Sequence, residues 1–322
     1  MRMLKQIILA FGFLLIGIHG VNAQAWPAGR PIQMIVPAGA GGVTDGVARV
    51  VAEALSNRLK QAFVVDNRPG ANGLIGVSFL SKARPDGYTM MVGTNTTMAA
   101  NKFLYKSFNL DPLKDFTPLA VVADVPFALL VPADSSFRSV NDFVTAAKAQ
   151  PGKLNYGSGT SSALLCAELL KNMTGIDLAR VSYKSSPQAL IDLMAGRLDL
   201  LCEPLASSRT ESNEGRVRAL ALTGSARSSL APDLVTIAEA GYPGIDYSAW
   251  IGFWAPVGLP MDIAKRLSDE LITIMKDPET QKKMLALGTD ILLGGPDVLA
   301  KMQRSEIEKI DLVVKKAGIT AE

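Results

Sequence analysis

Four short runs concentrate hydrogen-bonding chemistry in this sequence. In the first, Gly39, Ala40, Gly41 and Gly42 lead into Val43, Thr44 and Asp45. Glycines let backbone N–H groups come close to a bound group, and a helix start adds partial positive charge, so an anion such as a carboxylate suits this loop. It is not a phosphate loop, because no Gly-Lys-Ser/Thr follows. Nor is it a dinucleotide fingerprint, because Thr44 stands where the third glycine is needed. The second run, Gly93-Thr94-Asn95-Thr96-Thr97, is dense in hydroxyl and amide groups. The third, Gly157 to Ser162, sets Gly159, Thr160, Ser161 and Ser162 at a helix start. The fourth is Tyr183-Lys184-Ser185-Ser186-Pro187. Ser and Thr at helix starts are usually only caps; four such loops in equivalent positions point to one shared cleft. Glu203 follows an apolar strand at the same edge, with an exposed loop glutamate as the plain alternative. Ser185 and Ser186 directly follow Lys184, so a Ser–Lys nucleophile has its residues; no G-x-S-x-G elbow accompanies them, and capping is the favoured reading.

The residues that are missing exclude more. Arg2 and Lys5 precede an apolar run, Ile7 to Ile18, and Val21-Asn22-Ala23 offers a small-residue cleavage site. Residues 1–23 are therefore expected to be a signal peptide, with cleavage near Ala23 and export from the cytoplasm. The only histidine, His19, lies inside that leader. A mature chain without histidine cannot use Ser-His-Asp or Cys-His catalysis or any His-containing metal site. Removing Arg2 and Lys5 takes the formal charge from +3 to +1, and without basic clusters no nucleic-acid partner is expected. Cys166 and Cys202 are the only cysteines, too few for a zinc or iron–sulfur site. In an oxidising compartment they read as one disulfide, with two buried free thiols as the alternative. No cofactor or metal is expected, nor any enzyme activity.

The elements that must position these loops alternate. Ile32 to Val36, Ala62 to Val65 and Tyr88 to Val92 read as strands. Between the first two, Val47, Val50, Val51, Ala54 and Leu55 fall on one helix face, with Thr44 and Asp45 where an N-cap belongs. The pattern returns with strands at Phe127 to Val131, Leu154 to Tyr156, Leu198 to Cys202 and Val217 to Thr223. A helix carries Cys166, Leu169, Leu170 and Met173 on one face. Another has Pro187 at its first turn and Gly196 at its end. After residue 260 the chain reads as mainly helical. This order predicts an α/β fold, with parallel sheets covered by helices and ligand loops at the strands' C-terminal edge.

Several longer motifs carry a resemblance. Asp66-Asn67-Arg68-Pro69-Gly70-Ala71-Asn72-Gly73, Pro85-Asp86-Gly87-Tyr88-Thr89, Val181-Ser182-Tyr183-Lys184, Ala195-Gly196-Arg197-Leu198-Asp199, Ala238-Glu239-Ala240-Gly241-Tyr242-Pro243-Gly244 and Trp250-Ile251-Gly252-Phe253-Trp254-Ala255-Pro256 closely resemble the solute-binding receptors of tripartite tricarboxylate transporters. They keep the family's order from about residue 26 to 310. The resemblance implies a two-lobed periplasmic binding protein of the Venus-flytrap kind, each lobe a mainly parallel sheet flanked by helices. It implies a first lobe from residues 24–124 and 250–322, a second lobe from 125–249, and a hinge near 123–126 and 247–251. A small carboxylate, aliphatic or aromatic, would be held by Gly39 to Asp45, Thr94 to Thr96, Gly159 to Ser162, Tyr183, Ser185 and Glu203. Members often have aspartate at the position of Glu203, and some have a cysteine pair at the positions of Cys166 and Cys202. Tyr183, Tyr247 and Trp250 are candidates to line an aromatic pocket. The implied partners are membrane permease subunits, for a receptor acting as a monomer; a sensor partner and a Ser–Lys hydrolase are the competing readings.

Overall fold

A computed structural model describes residues 26–321; the expected leader, with His19 and Ala23, lies outside them. The first elements are β1 (Ile32–Val36), α1 (Val43–Leu59), β2 (Phe63–Asn67), α2 (Leu74–Ser81) and β3 (Thr89–Thr94). A π-helical turn, Thr96–Ala100, then runs into the short α3 (Asn101–Leu104). Helix α1 buries Val47, Ala48, Val51, Ala52 and Leu55; of the face that the spacing predicts, Val50 and Ala54 are only half-buried, so the buried stripe is turned toward Ala48 and Ala52. Its N-cap is Gly42, so Thr44 and Asp45 stand inside the first turn rather than before it.

Strand β4 (Phe116–Pro132) is 17 residues long and links the two halves of the molecule. The second half contains α4 (Val140–Ala149), β5 (Asn155–Ser158), α5 (Ser161–Thr174), β6 (Ala179–Ser182), α6 (Ser186–Met194), β7 (Leu200–Pro204), α7 (Arg209–Asn213) and β8 (Val217–Leu222). Met173, expected on the inner face of α5, is 49% exposed; the buried face is carried by Cys166, Leu169 and Leu170. Strand β9 (Ser248–Pro256) returns to the first half. There α8 (Met261–Ile274), α9 (Pro278–Ala286), β10 (Asp290–Gly294) and α10 (Pro296–Ala317) complete the chain.

Two lobes follow from the pairing. In the first, β1 lies parallel to β2 and β3, while β9 runs antiparallel between β3 and β4. In the second, β5 lies parallel to β6 and β7, and β4 is antiparallel to both β7 and β8. Four strands of each lobe share one direction, so the sheets are mainly parallel with antiparallel insertions. β4 and β9 face each other from Phe116 opposite Pro256 to Pro126 opposite Ser248. From Phe127 onward β4 pairs with the second lobe. The β4–β9 ribbon is thus where the backbone passes between lobes. Cys166 of α5 and Cys202 of β7 form the disulfide, with Cα atoms 6.2 Å apart.

Candidate functional site

Side chains alternate between the two faces of a strand, and the ribbon uses both. Val125, Phe127, Ala249 and Ile251 face a cavity of about 520 Å³ between the lobes. Their neighbours Asp124, Pro126, Ser248 and Trp250 face a second, larger cavity of about 820 Å³ behind the ribbon. The front cavity receives the predicted loops.

Three helix starts converge on it: Val43 and Thr44 of α1, Thr160 to Ser162 at the head of α5, and Ser186 of α6. Thr94, Thr96 and Thr97 add hydroxyls. A helix N-terminus presents unpaired N–H groups and partial positive charge, so all three favour an anion. Among the described residues lining this cavity none is lysine, arginine or histidine, and Glu203 is the only carboxylate. Two hydrogen bonds cross between lobes at its rim. Thr96 Oγ1 and Ser162 Oγ are 2.9 Å apart, and Asn72 Nδ2 donates to Ser161 Oγ at 3.2 Å.

Of the residues singled out in the sequence, Gly39, Thr44, Thr94, Thr96, Thr160, Ser161, Ser162 and Glu203 line the cavity. The others do not line it. Asp45 is buried and accepts from the Gly41 N–H (2.9 Å), Arg49 Nε (3.0 Å) and Asn67 Nδ2 (2.9 Å). The Arg49 bond is the largest influence holding its carboxyl down at about 2. Asp45 thereby shapes the loop that includes Ala40, Gly41 and Gly42, and these three also stay off the cavity wall. Asn95 is buried; its amide donates to the Ser248 carbonyl at 2.9 Å and its Oδ1 accepts from the Thr96 N–H. A Cβ at Gly159 would lie 2.5 Å from the Ser185 carbonyl carbon, so glycine there allows the third and fourth loops to meet. Ser185 is the N-cap of α6 without a side-chain capping bond. The Tyr183 hydroxyl donates to Asp192 Oδ2 at 2.8 Å, away from the cavity.

The aromatic candidates are placed elsewhere too. Trp250 faces the rear cavity. Tyr247 is 2% exposed and meets Phe127 edge-on at 5.4 Å. Its hydroxyl is buried without a hydrogen-bond partner; Ser162 and Asn95 face it without the geometry of a bond. The aromatic ring that does line the front cavity is Phe127, with Val125, Ala249 and Ile251 completing an apolar floor. Sequence reading also missed Asn72 and Ser186 as lining residues. Asn72 sits in the Asp66–Gly73 motif with φ +51°, a left-handed position that only the motif's several glycines hinted at.

Glu203 lies within the last residues of β7, opposite Ala128 of β4, rather than in a loop past the strand. It is 3% exposed. Ser186 Oγ donates to its Oε1 at 2.7 Å. Burial pushes its carboxyl up to about 7, against the opposing pull of that hydroxyl.

A family model described as "Tripartite tricarboxylate transporter family receptor" matches residues 47–319, and the chain belongs to this family of solute-binding receptors. A Pseudomonas sp. protein, described as the UPF0065 protein in the tcbD-tcbE intergenic region, is 37% identical over 92% of this chain and 89% of its own length. The R. palustris protein Rpa4515, solved with adipate, superposes with TM-score 0.79 at 36% identity, covering 92% of this chain and all of that one. The periplasmic binding protein BugD superposes with TM-score 0.74 at 30% identity, again over 92% of this chain and 100% of the other.

Proposed function

We propose that this protein captures a small carboxylate between its lobes in the periplasm and delivers it to the membrane permease subunits of a tripartite tricarboxylate transporter. One observation carries this reading: three helix N-termini and a ring of hydroxyls converge on a cavity that, among the described residues, is lined by no cationic side chain. Charge-assisted hydrogen bonds from neutral donors contribute roughly 1.5–3 kcal/mol each, so several offset the cost of taking a carboxylate out of water. Their supply from both lobes makes the closed form the better binder and shifts the hinge equilibrium. The proposed lobes are residues 24–124 with 250–322, and 125–249, turning on the ribbon near 123–126 and 247–251. The apolar floor of Val125, Phe127, Ala249 and Ile251 suits a ligand with a hydrocarbon body, as adipate has. Against a Ser–Lys hydrolase, Lys184 is exposed and neither it nor Ser185 lines the cavity.

The test is calorimetric titration of the mature protein with adipate, other di- and tricarboxylates and aromatic acids, each beside its uncharged amide. Binding of one acid class without its amide is expected. Equal binding of the amides, or no binding of any acid, would remove the carboxylate reading.

A further inference from the structure

One ionisable side chain of the front cavity takes no part in attracting an anion. Glu203 faces the cavity, and only its Oε1 has a partner, the Ser186 hydroxyl at 2.7 Å. Among the described residues no hydrogen bond or ion pair reaches Oε2. Among the described residues no counter-charge is bonded to it; α5 and β5, which also pack on β7, carry Glu168, Lys171 and Tyr156, and these pair with one another. β4 presents Ala128 in register, α6 presents Ser186, and the preceding residue of β7 is tied up in the disulfide. The buried Tyr247 phenol is a titratable group near enough to feel its charge. An ionised Glu203 would therefore stand largely desolvated and without a counter-charge in the space that closes over an anion, and like charges brought together in such a site disfavour each other.

We propose that a dicarboxylate enters this cleft together with a proton: Glu203 takes one proton from bulk solvent on Oε2 and donates that O–H to the ligand's second carboxylate. The first carboxylate sits at the helix starts, so this inference rests on the carboxylate reading above. The ligand stays a dianion, no other bond forms or breaks, and the proton returns to solvent when the lobes part. Burial already brings the free carboxyl up to about 7, so the neutral acid is abundant at pH 6 and scarce at pH 8.

Apparent affinity scales with the fraction of protein in the binding-competent form. Dicarboxylate binding by the native protein is expected to weaken roughly tenfold between pH 6 and pH 8. The monoamide of the same acid, neutral at its far end, should show a flat profile. Glu203→Gln keeps the shape and a donor without ionising, and should flatten the dicarboxylate profile. Titration of the native protein at pH 8 in two buffers of different ionisation heat should read about one proton taken up per dicarboxylate, a measurement that stands even if the variant folds poorly. Tight dicarboxylate binding with no pH slope and no proton uptake would overturn the inference. So would a slope that persists in Glu203→Gln, or preference for an ω-amino acid whose ammonium pairs with an ionised Glu203. Failure of the underlying reading looks different: no acid binds the native protein even at pH 6.

Discussion

The two faces of the β4–β9 ribbon handle polarity in opposite ways. The rear cavity is the larger, about 820 Å³ against about 520 Å³, and it is lined by Asp124, Asp246, Asp290 and Glu306 with Arg227, Lys301 and Lys309. Most of those charges meet partners on the protein itself. Ser248 Oγ donates to Asp124 at 2.5 Å. The hydroxyls of Ser228 and Ser229 donate to Asp290, joining the lobes from behind. Lys309 pairs with Glu306 at 3.0 Å and Arg227 with Glu239 at 3.0 Å. The front cavity has almost no charge and an excess of donors at helix starts. Volume alone would choose the rear face; the convergence of three helix starts on the other cavity is the ground on which the front face is proposed instead.

The front face should break first through its staple. Cys166 lies one turn into α5 beyond Ser162, and Cys202 immediately precedes Glu203, so the disulfide fixes two walls of the front cavity to each other. Replacing both cysteines by alanine opens a link of sequence separation 36. It is expected to lower stability by about 4 kcal/mol, read from denaturant unfolding, and to weaken ligand binding. Unchanged affinity in a destabilised protein would show that packing alone holds these walls. The next largest effect belongs to Asp45. Its depressed carboxyl contributes stability above the ordinary value of 3.8 that is lost as pH falls through that value toward about 2. Asp45→Ala should therefore cost about 2 kcal/mol at pH 7, a deficit that shrinks as unfolding is measured toward pH 3. It should also loosen the glycine loop and weaken ligand binding. A deficit independent of pH would mean that lost packing, not the lost charge, is responsible.

This division between faces was only partly legible in the sequence. Helix α1 and strands β1 and β3 were readable because their apolar spacing is local. The four loops were readable because glycines and hydroxyls cluster at strand ends. Only the second half of β4 was recognised. Pro118 and Pro126 interrupt its pattern, prolines argue against a central strand, and its register shifts beside Pro118. Asp45, Asn95 and Tyr183 had the right chemistry for a ligand, but Arg49, Ser248 and Asp192, distant or unremarkable in sequence, turn them away from the cavity. The floor residue Phe127 reads only as the start of a strand, and Ile251 only as part of the Trp250–Pro256 motif and the hinge. Which face of the ribbon they take depends on the pairing of two strands about 120 residues apart, as in Asp124 opposite Trp250. The rear cavity, built from that same register, left no signal in the sequence.

The smallest effect tests the separation of faces most directly. Asp124 sits on the rear face, and burial pushes its carboxyl up to about 6, helped by Asp290 and Asp246 and opposed by the Ser248 hydroxyl. The folded chain then holds this proton more firmly than the unfolded chain does. Stability falls as pH rises from the ordinary value of 3.8 through about 6 and stays lower above it. Asp124→Asn removes that cost and keeps an oxygen to accept from Ser248. With allowance for the side chain's partial exposure, the variant should be more stable than the native protein by about 1 kcal/mol at pH 7.5 and indistinguishable from it near pH 4. Thermal unfolding at the two pH values reads the difference. Ligand affinity at the front should not change, because Asp124 points away from that cavity and its charge is screened by the ribbon and solvent between. An altered affinity in Asp124→Asn would mean that rear charges set the balance between open and closed lobes. The two faces would then be one coupled device rather than a binding site and its backing.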